Sequence, residues 1–260
     1  MLLAIDIGNT NVTTGVFSGD NGPERHWRLA TDRQKSGDEY GIILSALLSK
    51  TGLNGKIDGA VISSVVPSLN DAFREAVSGY IGVKPVIAGE DVAIPVETLV
   101  DNPQEIGADR LINALAAYRA HKTSLIIADF GTAITFDYVT GDGKFAGGAI
   151  APGIGVSADV LSKRTEKLPV IDIAKPAKLI GRNTVEAMRA GIWFGFAALT
   201  DGIIEQMKKE AASGPKVVAT GGMAGLIARE CKRIDMTDEF LTLKGLNILF
   251  TDMNRAGRVR

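Results

Sequence analysis

The chain has 260 residues, with 29 Lys and Arg against 30 Asp and Glu, a formal charge of −1. That length suits one large or two small domains with a sizeable core, and the balanced charge excludes a basic nucleic-acid footprint over the whole chain. One cysteine, Cys231, excludes an internal disulfide and every multi-cysteine metal site. No apolar run approaches the ~20 residues of a membrane helix, and the opening MLLAIDIGNT, with an early acid and no basic leader, does not read as a secretory signal. The expectation is a cytoplasmic protein that engages neither membrane nor nucleic acid.

Residues 2–7 form an apolar strand interrupted by Asp6. Gly8-Asn9-Thr10-Asn11 turns the chain, residues 12–17 return as a strand, and residues 26–29 make a third. Residues 38–51 carry Ile42, Ile43, Ala46 and Leu47 at helical spacing. A strand at 59–65, a helix from Ser68 to about Gly79, a short strand at 85–88 and a helix over 104–121 follow. From residue 125 the opening device recurs: an apolar strand ending at Asp129, a Gly131-Thr132-Ala133 turn, a return over 134–139, a Gly141-Asp142-Gly143 turn and a strand at 144–150. A long apolar helix spans 183–209. A strand at 216–219, a short helix at 224–231 and a strand at 246–249 complete the pattern. Alternating strands and helices predict an α/β fold in two similar halves, with a boundary near 117: domains at 1–117 and 118–260.

IDIGNTNVTTGV and ADFGTAITFDYV align as strand, Asp, apolar residue, Gly, hydroxyl-rich turn, strand, and read as an internal repeat. An Asp inside an apolar strand argues against two unrelated hairpins, because an unpaired buried carboxylate is costly. A strand-end carboxylate before a Gly/Thr turn suits a magnesium nucleotide. Asp6 can hold the hydrated metal, directly or through water, while the amides and hydroxyls from Gly8 to Thr13 donate to phosphate oxygens. Asp129 with Thr132 and Thr135 offers the same chemistry again. Thr220-Gly221-Gly222, after an apolar strand and before a helix, leaves room for a flat base or an anion.

No G-x-x-x-x-G-K-[ST] is present, so a P-loop is excluded. Gly153-Ile-Gly155-Val-Ser-Ala158 matches a dinucleotide fingerprint in letters only, and reads as a loop and helix start. His26 and His121 lack metal spacing, and Cys231 has no catalytic context. Trp193, Phe194 and Phe196 read as core or subunit interface. Alone, the Asp109-Arg110 pair reads as a helix cap and salt bridge. Beside two phosphate-gripping hairpins it reads as a base with an anion-binding fork.

The set DIGNTNVTTG (6–15), NPQEIGADR (102–110), DFGTAIT (129–135), GGAIAPG (147–153), NTVEAMRAGIWFG (183–195) and TGG (220–222) resembles type III pantothenate kinase, in the family's order and nearly end to end. DxGxT alone is shared by the acetate and sugar kinase, chaperone ATPase and actin superfamily; GADR, the second DxGTAxT and GGxIxPG are narrower. The resemblance implies two ribonuclease-H-like (actin-like ATPase) domains with the active cleft between them. It implies transfer of the ATP γ-phosphoryl group to pantothenate, the first step of coenzyme A synthesis, by a homodimer needing magnesium and potassium or ammonium. Carried over by position, Asp6, Ile7, Gly8, Asn9, Thr10, Asn11, Val12 and Thr13 form the ATP phosphate segment, with Asp6 at the magnesium. Thr132, Gly221 and Gly222 also face ATP. Gly107, Ala108, Asp109, Arg110 and Thr184 meet pantothenate, Asp109 accepts its proton, and Asp129 binds the monovalent cation. Val100 stands where the family commonly has a pocket Tyr. The competing functions are a non-enzymatic nucleotide-binding accessory or regulatory factor, which needs no base at Asp109, and a sugar or acetate kinase, which lacks GADR.

Overall fold

The computed structural model describes residues 1–255 and Gly257. The chain divides into two compact units. The first comprises Met1–Val96, Asn102–Ala116 and the described residues from Phe240 onward; the second comprises Glu97–Asp101 and Ala117–Glu239.

In the first unit, β1 (Leu2–Ile7), β2 (Asn11–Phe17), β3 (Arg25–Ala30), β4 (Gly59–Ser64) and β5 (Pro85–Ile87) form one sheet in the order β3-β2-β1-β4-β5. β1, β2 and β3 pair antiparallel, whereas β4 and β5 add in parallel. The strand period of two splits the side chains between two cores. Leu3, Ile5 and Ile7 pack with Tyr40, Leu44 and Leu48 of α1 (Gly37–Lys50) and Phe73 of α2 (Asn70–Ala76). Leu2, Ala4 and Val61 pack on the other face with Ile112 and Leu115 of α3 (Ala108–His121). Ser36 caps α1 in a capping box: its hydroxyl accepts from the Glu39 amide at 3.3 Å, and its amide donates to Glu39 Oε2 at 2.9 Å. Such a cap stabilises a helix by about 0.5–2 kcal/mol. The helix expected over 104–121 starts later, because Pro103–Glu105 forms a separate 3₁₀ turn.

The second unit repeats that topology. β6 (Leu125–Phe130), β7 (Ala133–Val139), β8 (Phe145–Pro152), β9 (Lys216–Thr220) and β10 (Met236–Thr237) run in the order β10-β9-β6-β7-β8, with β6, β7 and β8 antiparallel and β9 and β10 parallel. Ile126, Ala128, Phe130 and Phe136 pack with Ile154 of α4 (Ile154–Lys163), Ile192 and Trp193 of α5 (Thr184–Ala211), and Ile227 of α6 (Ala224–Ile227). The aromatic reading of Trp193 as a core residue therefore holds; α6 is shorter than the helix expected over 224–231.

The strand expected at 246–249 is instead the middle of α7 (Leu241–Arg255). LNIL alone has the look of a short buried strand. The longer run places Leu243, Leu246, Leu249 and Met253 three and four residues apart, on one helical stripe. All four join the core of Leu2, Ala4 and Val61 in the first unit. The domain expectation of 1–117 and 118–260 is corrected at two segments for related reasons. α7 returns to the first sheet, and the Glu97–Asp101 segment pairs with β8, where the Leu99 amide donates to Phe145 O and the Phe145 amide to Glu97 O, both at 2.8 Å. Residues 256 and 258–260 of that expectation lie outside the described residues. Among the described residues no helix is long and apolar enough to cross a membrane.

Candidate active site

Asp6 is the penultimate residue of β1 and half-buried. Its cross-strand partners are Thr13 on β2 and Ser63 on β4. Alternation from Ala4 puts Asp6 on the sheet face that α3 covers. The turn beyond it is tight: the Gly8 amide donates to Asn11 O at 3.0 Å, and a β-carbon on Gly8 would stand 3.0 Å from the same oxygen. Residues following β3 hold this turn open to solvent. Thr31 Oγ1 donates to Gly8 O at 2.6 Å, the Thr31 amide to Thr10 O at 2.9 Å, and Arg33 Nη2 to Asn9 Oδ1 at 2.9 Å. Asn9, Thr10 and Asn11 are exposed, whereas the side chains of Ile7 and Val12 are fully enclosed in the core. Ile7 and Val12 therefore offer a ligand only their backbone.

Ile112 and Leu115 place α3 on the same face. A β-carbon on Gly107 would come 3.5 Å from Val65 Cγ1, just past the end of β4, and 2.5 Å from Asp109 Oδ1. Glycine thus leaves room for the Asp109 carboxylate, which accepts the Arg110 amide at 2.8 Å. Asp109 sits one helical turn before core residue Ile112 and so faces the sheet. Burial pushes its carboxyl above the ordinary range, and the Arg110 amide and charge offset only part of that. A carboxylate with raised proton affinity near its working pH is a stronger proton acceptor.

In the second unit Asp129 is the penultimate residue of β6, paired with Thr135 on β7 and Thr220 on β9. Gly221 follows with φ +92°, and a β-carbon there would overlap the Asp129 carboxylate. Gly222 and Thr132 are exposed. Gly153 caps α4 and donates its amide to Thr132 O at 3.1 Å, so close that a β-carbon would overlap that oxygen and stand 2.7 Å from Gly131 O. Val100 is half-buried beside Gly147 of β8. Thr184 is exposed at the first turn of α5, behind the cap in which Asn183 Oδ1 accepts the Glu186 amide at 2.9 Å.

The residues singled out from the sequence thus fall into two groups. In the first unit Asp6, by alternation from Ala4, and Asp109, by helical spacing from Ile112, lie on the face that α3 covers, with the turn from Gly8 to Asn11 just beyond the end of β1 and Gly107, Ala108 and Arg110 beside Asp109 in the chain. Asp129 and Gly221 touch in the second; Thr132 lies in the turn between β6 and β7, Gly222 follows Gly221 beyond β9, Val100 lies in the segment beside β8, and Thr184 opens α5. Thr31, Arg33 and Ser63 were not anticipated; Arg33 puts a cation on the phosphate-type turn from well outside the motif.

Among the described residues no group of three or more His, Cys, Asp or Glu side chains could hold a metal by itself. The donor set of the first hairpin is one carboxylate with amides and hydroxyls around it. Such a set fits a hard divalent ion that keeps water and phosphate oxygens as most of its ligands.

A profile of the family described as type III pantothenate kinase matches residues 2–206. Proteins named type III pantothenate kinase from Geobacter sulfurreducens and Moorella thermoacetica are each 47% identical over 251 residues, covering 96% of this chain and 98% of theirs. Among solved structures, a conserved putative Baf family transcriptional activator from Campylobacter jejuni aligns at TM-score 0.55 and 18% identity, over 97% of this chain and 99% of that one. A putative 2-dehydro-3-deoxygalactonokinase from Sinorhizobium meliloti aligns at TM-score 0.60 and 12% identity, over 98% and 96%. At those identities the structural likeness speaks for the fold alone. The sequence likeness goes further: the chain belongs to the type III pantothenate kinase family.

Proposed function

We propose that this chain transfers the γ-phosphoryl group of ATP to the primary hydroxyl of pantothenate, giving 4'-phosphopantothenate, the first step of coenzyme A synthesis. The observation that carries the mechanism is Asp109: a carboxylate whose burial raises its proton affinity, on the same sheet face as Asp6. Phosphoryl transfer is mostly positioning and charge stabilisation, with one group to orient the attacking hydroxyl and take its proton. Asp109 is that group. Arg110, with Gly107 and Ala108, binds the acceptor, and the guanidinium fork suits its carboxylate.

The segment from Gly8 to Thr13, exposed at Asn9, Thr10 and Asn11, binds the ATP phosphates through amides and hydroxyls, with Asp6 beside it for the hydrated metal. Magnesium supplies neutralisation of phosphate charge when bound. Asp129 is the ligand for potassium or ammonium, supported by the close approach of Gly221 to its carboxylate. Thr132, Gly221 and Gly222 contact the nucleotide; Val100 and Thr184 contact pantothenate. The chain works in the cytoplasm as a homodimer. Gly191, Gly195, Ala198 and Gly202 form an exposed stripe of small residues along α5, where a second helix can approach closely.

A coupled assay of ATP turnover tests the reaction, with pantothenate set against acetate and a panel of sugars. Turnover confined to pantothenate supports it; turnover on a sugar or acetate, or on nothing, overturns it. The mass in solution tests the dimer.

A further inference from the structure

Ser63 is 0% exposed, and its Oγ has no hydrogen-bond partner. An enclosed hydroxyl without a partner is costly, so its retention calls for a partner that arrives later. The register shows where. Ser63 on β4 is the parallel-strand partner of Asp6 on β1. Ala4 and Val61, two residues earlier on the two strands, share the core under α3, so Asp6 and Ser63 lie side by side on that same face. Neighbouring strands are about 4.8 Å apart, which puts a serine hydroxyl within one rotamer change of an adjacent carboxylate. The next residue, Ser64, points to the opposite face, and its Oγ accepts the Val66 amide at 3.1 Å. Thr14 Oγ1 is also enclosed and unpartnered, but Thr14 pairs with Ile5 and faces the apolar core away from Asp6.

The second unit repeats the arrangement. Asp129 on β6 has Thr220 as its parallel-strand partner on β9, where Asp6 has Ser63. The two sequences share no motif here, yet both keep a hydroxyl residue in that place.

We propose that Ser63 is a positioning residue of the metal-nucleotide site: in the loaded protein its hydroxyl donates to the Asp6 carboxylate and holds it oriented toward the hydrated metal. This rests on the reading of Asp6 as the magnesium carboxylate. The hydroxyl is unsatisfied in the ligand-free chain, and the metal-bound carboxylate beside it is the acceptor it lacks. Ser63 therefore trades stability of the free protein for order in the complex.

The test is calorimetric titration with a non-hydrolysable ATP analogue, with and without magnesium. It uses the full chain and the variants Ser63→Ala, Ser63→Cys, Ser64→Ala and Asp6→Asn, alongside thermal melting of each ligand-free protein. Ser63→Ala is expected to melt at or above the wild-type temperature. It is expected to bind the magnesium nucleotide roughly tenfold or more weakly, the scale of a hydrogen bond to a charged group, with metal-free nucleotide and pantothenate binding unchanged. Ser63→Cys, a weak donor of similar volume, shows the same magnesium-specific loss. Ser64→Ala melts lower and binds normally. If Ser63→Ala binds the magnesium nucleotide like wild type while Asp6→Asn does not, the proposal falls and the reading of Asp6 stands. If neither variant loses affinity, both fall. A loss of equal size with and without magnesium, or one accompanied by a lower melting temperature, assigns Ser63 a purely structural role and also overturns the proposal.

Discussion

Gly221 stands so close to Asp129 that a β-carbon on it would overlap the carboxylate and come 2.7 Å from the Phe130 amide nitrogen. Its φ of +92° adds to the constraint, since a left-handed conformation costs an L-residue about 1–2 kcal/mol. Gly221→Ala is therefore expected to lower the melting temperature and to displace Asp129. Activity of the variant should lose its response to potassium or ammonium when these replace a Tris-only buffer. An unaltered response would separate Asp129 from the monovalent ion.

Asp109→Asn should keep the fold and nucleotide binding while lowering turnover about 10²-fold or more, the usual scale for loss of a general base. It should also melt at a higher temperature. The folded carboxyl holds its proton more tightly than the unfolded one. Stability from this group therefore falls as pH rises from the unfolded value to the folded one, and above that window the ionised side chain is a standing penalty. Asparagine removes the penalty. Near wild-type turnover, or a lower melting temperature, would contradict the assignment.

The same raised carboxyl sets the acid side of the pH–rate profile. A base must be ionised to work, so kcat/KM is expected to fall on acidification at a pH above the ordinary ~4 of a carboxylate. Steady-state rates from pH 4 to 8 with pantothenate below saturation would locate the limb. A limb at or below 4 would mean that a different group controls it.

Val100 sits beside Gly147, whose φ is +116° and whose absent side chain leaves space next to it. Val100→Tyr should leave the pantothenate KM unchanged or lower it by up to about tenfold, the worth of one neutral hydrogen bond of 0.5–1.5 kcal/mol. A large rise in KM would show a pocket rebuilt around valine.

A β-carbon on Gly245 of α7 would overlap the carbonyl oxygen of Ile112 on α3 and stand 2.6 Å from Ile112 Cγ2. Gly245→Ala should destabilise the protein by about 1–3 kcal/mol, as overpacking does. Chemical denaturation would measure it, and a wild-type midpoint would show that the two helices yield without cost.

The hairpins around Asp6 and Asp129 are legible in the sequence because an acid in an apolar strand, followed by glycine, is a local contradiction that only a site resolves. The matching sheet orders follow from that repeat. α7 is hidden for the opposite reason: Leu246 to Leu249 satisfies a strand template locally, and only the stripe from Leu243 to Met253 selects the helix. Ser63 cannot be found by motif at all, since its meaning lies in the register of β4 against β1. The pairing of the 97–101 segment with β8 is likewise a long-range hydrogen-bond choice that composition does not encode.

The return of α7 to the first sheet also orders events during synthesis. Leu2, Ala4 and Val61 emerge early, but Leu243, Leu246, Leu249 and Met253, which cover them, emerge only after the whole stretch from Ala117 to Glu239. On the ribosome, the second unit can close while that face of the earlier sheet is covered by α3 alone, leaving apolar surface that only α7 completes. Nascent chains stalled before residue 240 should thus recruit a holding chaperone that chains stalled well beyond α7 release, and equal recruitment at both lengths would show that the surface left uncovered by α3 is sheltered in some other way.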